Sequence, residues 1–312
     1  MVDRDALAAL ARPLLARCTF PTGPLTCAVS GGADSTALLL LAVATSAPVT
    51  AVHVDHGLRR SSADDAAHVE SFAASLGVPV VVRRVDVVAG ANLEARARQL
   101  RYAALPDDVC TGHTADDVAE TVLINLLRGA GIDGLAPMVR ATRGPHRPLL
   151  YLRRAETIAL CRSLGLVVVH DDMNTDVRFQ RVRVRHQVMP LLDDIAQRDV
   201  AGIIARQAAL LGDDADFLET LARALDPCDA SSLRAAPAPL ARRAVRRWLI
   251  DSGVGDGHPP DSAAVERVLD VARLRAVSTD VFDGWRVLRT AGRLRLEHRG
   301  GATGGPSTLP QL

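Results

Sequence analysis

The chain has 312 residues and no lysine; all 37 of its basic side chains are arginines. A glycine-rich nucleotide loop of the familiar kind closes with a Lys-Ser or Lys-Thr pair, so that loop is excluded. Aromatic residues reach only 3%. With alanine abundant and arginine in every basic position, this reflects a GC-rich genome more than a function. The five cysteines, Cys18, Cys27, Cys110, Cys161 and Cys228, form no C-x-x-C pair. Zinc ribbons, redox dithiols and cluster ligation are thereby disfavoured, and free cytosolic thiols are expected. No apolar run approaches membrane-spanning length. The opening "MVDRDALAALARPLLARC" is interrupted by Asp and Arg, unlike a signal peptide. The expected location is the cytoplasm. A net charge of +1 predicts no acidic partner by itself, so any nucleic-acid footprint must be local.

What is present is alternation. From Pro24 to about Val169, short β-branched runs alternate with helical patterns: "LTCAV", helix 34–45, "VTAVHV" (49–54), helix 63–76, "VPVVVRRVDV" (78–87) and helix 93–105. Then come "DDVCTG" (107–112), helix 115–128, "RPLL" (147–150), helix 154–164 and "LVVV" (166–169). The pattern predicts an α/β fold, a Rossmann-like open parallel sheet with helices on both faces. Ligands of such sheets sit at the carboxyl ends of the strands. From Leu191 onward the pattern is helical, and "DGWRVLRTAGRLRLEH" (283–298) reads as a β-hairpin. We expect a first domain over 1–200, a smaller, mainly helical domain over 201–298 ending in that hairpin, and a disordered tail over 299–312.

The chemistry-bearing motifs follow strands. "SGGADS" covers Ser30, Gly31, Gly32, Ala33, Asp34 and Ser35. Its glycines let backbone N–H groups turn toward an anion at a helix N-terminus. Asp34 would repel a bare phosphate, which makes sense if Mg²⁺ lies between them. The ordinary alternative is a glycine turn with Asp34 or Ser35 capping a helix. "HVDHGLR" (53–59) puts Asp55 and His56 at the next strand end. Arg98 and Arg101 share a helix face, which alone reads as a solvated basic surface. In "TGHTADDVAET" (111–121), His113, Asp116, Asp117 and Glu120 fall at helical spacing. Clustered carboxylates cost free energy unless a cation sits among them. Acids enriched in a first helical turn explain Asp116 and Asp117, but not Glu120 with His113. Arg178, Arg181, Arg183 and Arg185 form a basic run of the kind that contacts phosphates.

Together "SGGADS", "VDHGLR", "EARARQLRY", "TGHTADDVAETVLINLLRGAG", "RPLL" and "RVRVR" occur in an order that resembles the tRNA(Ile)-lysidine synthetases of the ATP pyrophosphatase superfamily. The resemblance is close from about 24 to 190. It implies an enzyme that uses ATP and Mg²⁺ to adenylate the C2 oxygen of the wobble cytidine of an isoleucine tRNA. Free lysine then displaces AMP. On this reading Ser30–Ser35, Asp55 and His56 hold ATP and Asp34 holds the metal. Asp34, His113, Asp117 and Arg98 form the catalytic set. Asp116, Asp117, Glu120, Arg181, Arg183 and Arg185 bind lysine or tRNA. Partners are the tRNA and lysine, with a homodimer left open. Val182 stands where the family carries Asn, "DDMN" replaces its acid-Pro-Ser-Asn run, and the short chain predicts no extra C-terminal domain. The runner-up is a tRNA thiolation enzyme, which would need catalytic cysteines. A third reading, a nucleotide or RNA-binding module, would need neither Asp34 nor the acidic helix face.

Overall fold

The structure, a computed structural model, describes residues 2–55, 62–85, 96, 100, 102–136, 138, 144–169, 178–255, 260–282 and 284–298. His56, Arg98, Arg101 and the tail 299–312 lie outside the described residues, as does most of the helix expected at 93–105. The chain divides into two compact units, Met1–Gly212 and Asp213–Leu312.

In the first unit, α1 (Arg4–Leu15) precedes β1 (Leu25–Ala28), α2 (Ala33–Ala44), β2 (Val49–Asp55), α3 (Ser62–Ser75) and β3 (Val80–Arg84). β1 pairs in parallel with β2, and β2 with β3. The sheet continues past β1 as single parallel bridges, Cys27 to Cys110 and Cys110 to His146. Parallel neighbours need crossover helices, and the β-branched runs seen in the sequence supply the strands between them. α2 is buried from Ser35 to Ala42 along its length. Its "LLLL" run, Leu38–Leu41, is fully buried and forms the centre of the core with Leu25, Val29, Val69, Leu149 and Leu152. A helix apolar on all sides belongs in the interior.

Next come α4 (Ala115–Leu127), α5 (Ile132–Leu135) and α6 (Arg154–Ser163). They are followed by α7 (Gln180–Arg183), a π-helical turn (Val184–Val188), α8 (Met189–Ala196) and α9 (Ala201–Ala222). The division between units falls inside α9.

Of the expected strands, "DDVCTG" contributes only the Cys110 bridges, and two others are not strands. "RPLL" forms a turn in which Leu152 N–H donates to Leu149 O (2.9 Å) and the Pro148 carbonyl accepts from Thr19 (3.2 Å). Pro148 has no N–H to give a ladder. "LVVV" is extended without being a ladder strand, and its Val169 N–H donates to Gly31 O at 2.9 Å. Its apolar character serves packing against the core, with Leu166 and Val168 partly buried there.

The second unit contains α10 (Ala230–Ala235), α11 (Ala238–Asp251) and α12 (Ser262–Ala272), then an antiparallel sheet β4 (Ser278–Phe282), β5 (Trp285–Thr290), β6 (Arg293–His298). The expected hairpin is β5–β6, turning at Ala291-Gly292, where both residues have positive φ. This unit has its own core, centred on Val245, Leu249, Val268, Leu269, Val287 and Leu294. Among the described residues, no helix is long and apolar enough to cross a membrane.

Candidate active site

The loop between β1 and α2 is built by glycine. Gly31 has φ +87°, a conformation open to glycine, and a Cβ there would meet Val169 Cγ2 at 2.8 Å. Gly32 is the N-cap of α2, so the backbone N–H groups of its first turn have no helical partners. Ser35 Oγ donates to Gly32 O (2.9 Å) and lies 3.1 Å from both the Ser30 nitrogen and its Oγ, tying the loop closed. A second loop, Thr111–Thr114, lies directly against it: a Cβ on Gly112 would fall 2.7 Å from Asp34 O.

Asp34 stands in the first turn of α2. Its Oδ2 accepts from Arg154 Nε (3.0 Å) and its Oδ1 from Thr157 Oγ1. Burial raises its pKa, against the pull of Arg154 and Thr157. Asp117 closes the first turn of α4, its Oδ2 accepting from Thr114 N–H (2.9 Å) and Oγ1 (3.1 Å). Asp117 Oδ1 accepts from Arg154 Nη2 (2.8 Å). Burial alone would raise this carboxyl, but Arg154, His113 and the Thr114 N–H outweigh it and hold the pKa at about 2. Asp116 accepts from Arg153 through both oxygens (2.9 and 3.1 Å) and from the Arg154 backbone N–H (2.7 Å). Its pKa is lowered, burial opposing these partners.

Glu120, 1% exposed, takes three arginines. Arg154 Nη1 donates to Oε1 (3.0 Å), Arg185 engages both oxygens (2.7 and 3.0 Å), and Arg181 Nε lies 3.2 Å from Oε2. The π-helical turn carries Arg185, and such turns change the facing of the residues within them. Beside this network lies a cavity of about 160 Å³, lined by Asp116, Glu120, Arg153, Arg154, Arg185 and Asp193, with Met189 and Pro190 as its apolar wall.

His113 Nδ1 lies 2.9 Å from Thr111 Oγ1, which itself donates to the His146 carbonyl (3.1 Å). The hydroxyl has one proton, so Nδ1 is the donor to Thr111 Oγ1.

The structure thus gathers Asp34, Asp116, Asp117, Glu120, Arg181 and Arg185 into one network. Arg183 is exposed, with its Nε donating to Gln187 Oε1 (3.2 Å). Asp55 ends β2, 3.6 Å from Arg84 Nε. His53, buried in β2, is structural: its Nδ1 donates to Val29 O at 2.8 Å. The residues that sequence reasoning missed are Arg153, Arg154 and Thr157. A signal existed, because two arginines at a helix N-terminus oppose the helix dipole and need acids to face them.

Mg²⁺ binds through one or two carboxylates together with substrate phosphates and water, without an all-protein cage. Asp34, at a helix N-terminus beside a glycine loop, fits that use. Among the described residues, no group of three His, Cys, Asp or Glu could hold a metal alone.

Comparison with known proteins now bears on this geometry. A PP-loop domain profile matches residues 6–192, and a TilS substrate binding domain profile matches residues 229–295. The tRNA(Ile)-lysidine synthase of Nocardia farcinica is 45% identical over 239 residues, 72% of this chain and 75% of the relative. The chain belongs to the tRNA(Ile)-lysidine synthase family. Another tRNA(Ile)-lysidine synthase, from Rhodococcus erythropolis, is 39% identical over 272 residues, 83% of this chain and 80% of that one. Among solved structures, a U34-tRNA thiolase from Methanococcus maripaludis aligns with a TM-score of 0.55 at 18% identity, covering 68% of this chain and 81% of that one. That likeness is one of fold alone. Cys27, Cys110 and Cys161 are buried. Burial pushes the Cys161 thiol up to about 11, and the Cys27–Cys110 hydrogen bond raises Cys27 and lowers Cys110. A thiol is a nucleophile only as thiolate. The fold and the family are those that the motifs in the sequence implied.

Proposed function

We propose that this chain joins free lysine to C2 of the wobble cytidine of an isoleucine tRNA, through an adenylated tRNA, converting ATP to AMP and pyrophosphate. The observation that carries the reading is that one side chain, Arg154, spans from Asp34 of the nucleotide loop to Asp117 and Glu120 of α4. A phosphate loop and an acidic face that can hold an ammonium thus form one site, in a chain of this family.

The roles follow from the chemistry. In the first step the cytidine C2 oxygen attacks the α-phosphorus of ATP, the α–β bond breaks, and pyrophosphate leaves. Backbone N–H groups at the start of α2 receive the phosphates. Asp34 would hold Mg²⁺, which when bound neutralises phosphate charge. In the second step the lysine side-chain amine attacks C2 and AMP leaves with the oxygen. That amine is mostly protonated at neutral pH, with a reference pKa of about 10.4. Asp117, held ionised, attracts the ammonium, and Nε2 of His113 takes its proton. The cavity beside Glu120 presents both signs of charge, through Arg153, Arg185 and Asp193, as an amino acid with charged ends requires. The exposed Arg183 and the 213–312 unit are assigned to the tRNA, and Arg98 stays with ATP or the adenylated intermediate.

The test is nucleoside analysis of isoleucine tRNA after incubation with ATP and labelled lysine. Label in lysidine, dependent on ATP, is the expected result. Label that never enters the tRNA, or a thiolated nucleoside formed on adding a sulfur donor, rejects the reading.

A further inference from the structure

The acidic helix face is not waiting for a cation, because it already has one. Each nitrogen of the Arg154 guanidinium addresses a different carboxylate: Nε to Asp34 (3.0 Å), Nη1 to Glu120 (3.0 Å), Nη2 to Asp117 (2.8 Å). Those acids come from two elements, α2 and α4. Among the described residues, Arg153, Arg181 and Arg185 form ion pairs with acids of α4 and with Asp199. Among the described residues, Arg154 is the one arginine hydrogen-bonded to Asp34.

Asp34, Asp117 and Glu120 are each already paired with the Arg154 guanidinium. A cation approaching these three acids must displace that guanidinium to gain from them. Both Asp34 oxygens are also taken, one by Arg154 and one by Thr157. An arginine cannot vacate its place by losing a proton, so it must move. Its side chain is 20% exposed, which leaves it a way out on one side, and a guanidinium binds phosphate as readily as carboxylate.

We propose that Arg154 is a place-holding cation and a positioning residue: it sets Asp34 against α4 and yields Asp34 when the nucleotide and its cation bind. This rests on the reading above only for the identity of the substrates. It adds that the acidic face becomes competent for ammonium or metal after Arg154 has turned toward phosphate, so nucleotide binding precedes cation binding.

The experiment uses Mn²⁺ alone, without nucleotide, and reads free Mn²⁺ by electron paramagnetic resonance. The wild type should bind it weakly. Arg154→Met, which keeps length and removes charge, should bind it at least about tenfold more tightly, since a positive charge at contact distance is gone. Arg154→Lys should resemble the wild type. Adding Asp34→Asn to Arg154→Met should abolish the gain. In parallel, Mn²⁺ should raise the Tm of Arg154→Met, while the wild type should need Mn²⁺ together with a non-hydrolysable ATP analogue. A purely structural Arg154 would lower Tm with no gain in Mn²⁺ affinity, and that result overturns the proposal. So does an Arg154→Met chain that remains unfolded at millimolar Mn²⁺, or a gain that survives Asp34→Asn. Lysidine formation by the wild type decides the substrate reading separately.

Discussion

Asp117 accepts from Thr114 through one oxygen and from Arg154 through the other. The helix-capping reading and the functional reading of this residue are therefore both physically present. They separate by assay. In Asp117→Asn the amide oxygen still serves Thr114, but an N–H₂ faces Arg154, and the charge is gone. We expect AMP transfer to tRNA to persist and lysine transfer to fall by 10²-fold or more, an order set by the loss of about 3 kcal/mol of charge-assisted binding. A two-step assay measures it: AMP linked to tRNA without lysine, then lysidine after lysine is added. Equal loss at both steps places lysine elsewhere. The same residue predicts a pH effect. Its folded pKa, about 2, lies below the ordinary aspartate value of 3.8. Its stabilisation is thus present above about pH 4 and is lost as pH falls toward 2, on the order of 2 kcal/mol. Asp34 has the opposite sign: its raised pKa favours the protonated form in the fold, so its contribution is lost as pH rises through that value. Urea unfolding at pH 5 and pH 3 should show a smaller acid loss in Asp117→Asn than in the wild type.

At the scale of elements, the basic run 178–185 splits in two. Arg181 and Arg185 lie against Glu120, while Arg183 is exposed on the next position of the turn. The sequence places all of them in one run and cannot say which face the π-helical turn presents. It also shows that His113, Asp116, Asp117 and Glu120 share a face, because 3.6 residues per turn is a local rule. Their partner Arg154 stands 37 positions beyond Asp117, and a separation of that kind is set by the sheet, not by periodicity. The motif "RPLL" misleads for a related reason: a short apolar run before a helix fits a strand until the missing Pro148 N–H is counted. Arg183→Ala should leave stability unchanged and flatten the salt dependence of tRNA binding by about one unit of slope. Arg185→Ala should instead cost about 2 kcal/mol of stability by removing paired bonds to a buried carboxylate. Filter binding across a salt series, with urea titrations of both variants, tests the division. A reversed pattern would make Arg185 the phosphate contact.

Over the whole molecule, the alternation of β-branched runs and helices was enough to read the open parallel sheet, and the hairpin at 285–298 was visible from period-two patterning about an Ala-Gly turn. The sheet's outer lanes were harder, because Cys110 and His146 join it by single bridges instead of ladders. Each unit has a separate hydrophobic core, one around Leu38–Leu41 and one around Leu249 and Leu269. Domains with separate cores unfold as separate cooperative units unless a large apolar interface couples them. Calorimetry should therefore resolve two transitions. Leu269, 1% exposed in α12, is a probe of the second: Leu269→Ala removes buried volume and should lower that transition by about 2–5 kcal/mol. ATP with Mg²⁺ at a hundredfold excess over Kd should raise the other transition by about 2.7 kcal/mol, and Leu269→Ala should leave that shift intact. This follows because every residue of the loop and of the Arg154 network lies within Met1–Gly212. If ATP raises both transitions together, or if Leu269→Ala removes the ATP shift, the nucleotide site depends on residues beyond 212 and cannot be assigned to the first unit alone.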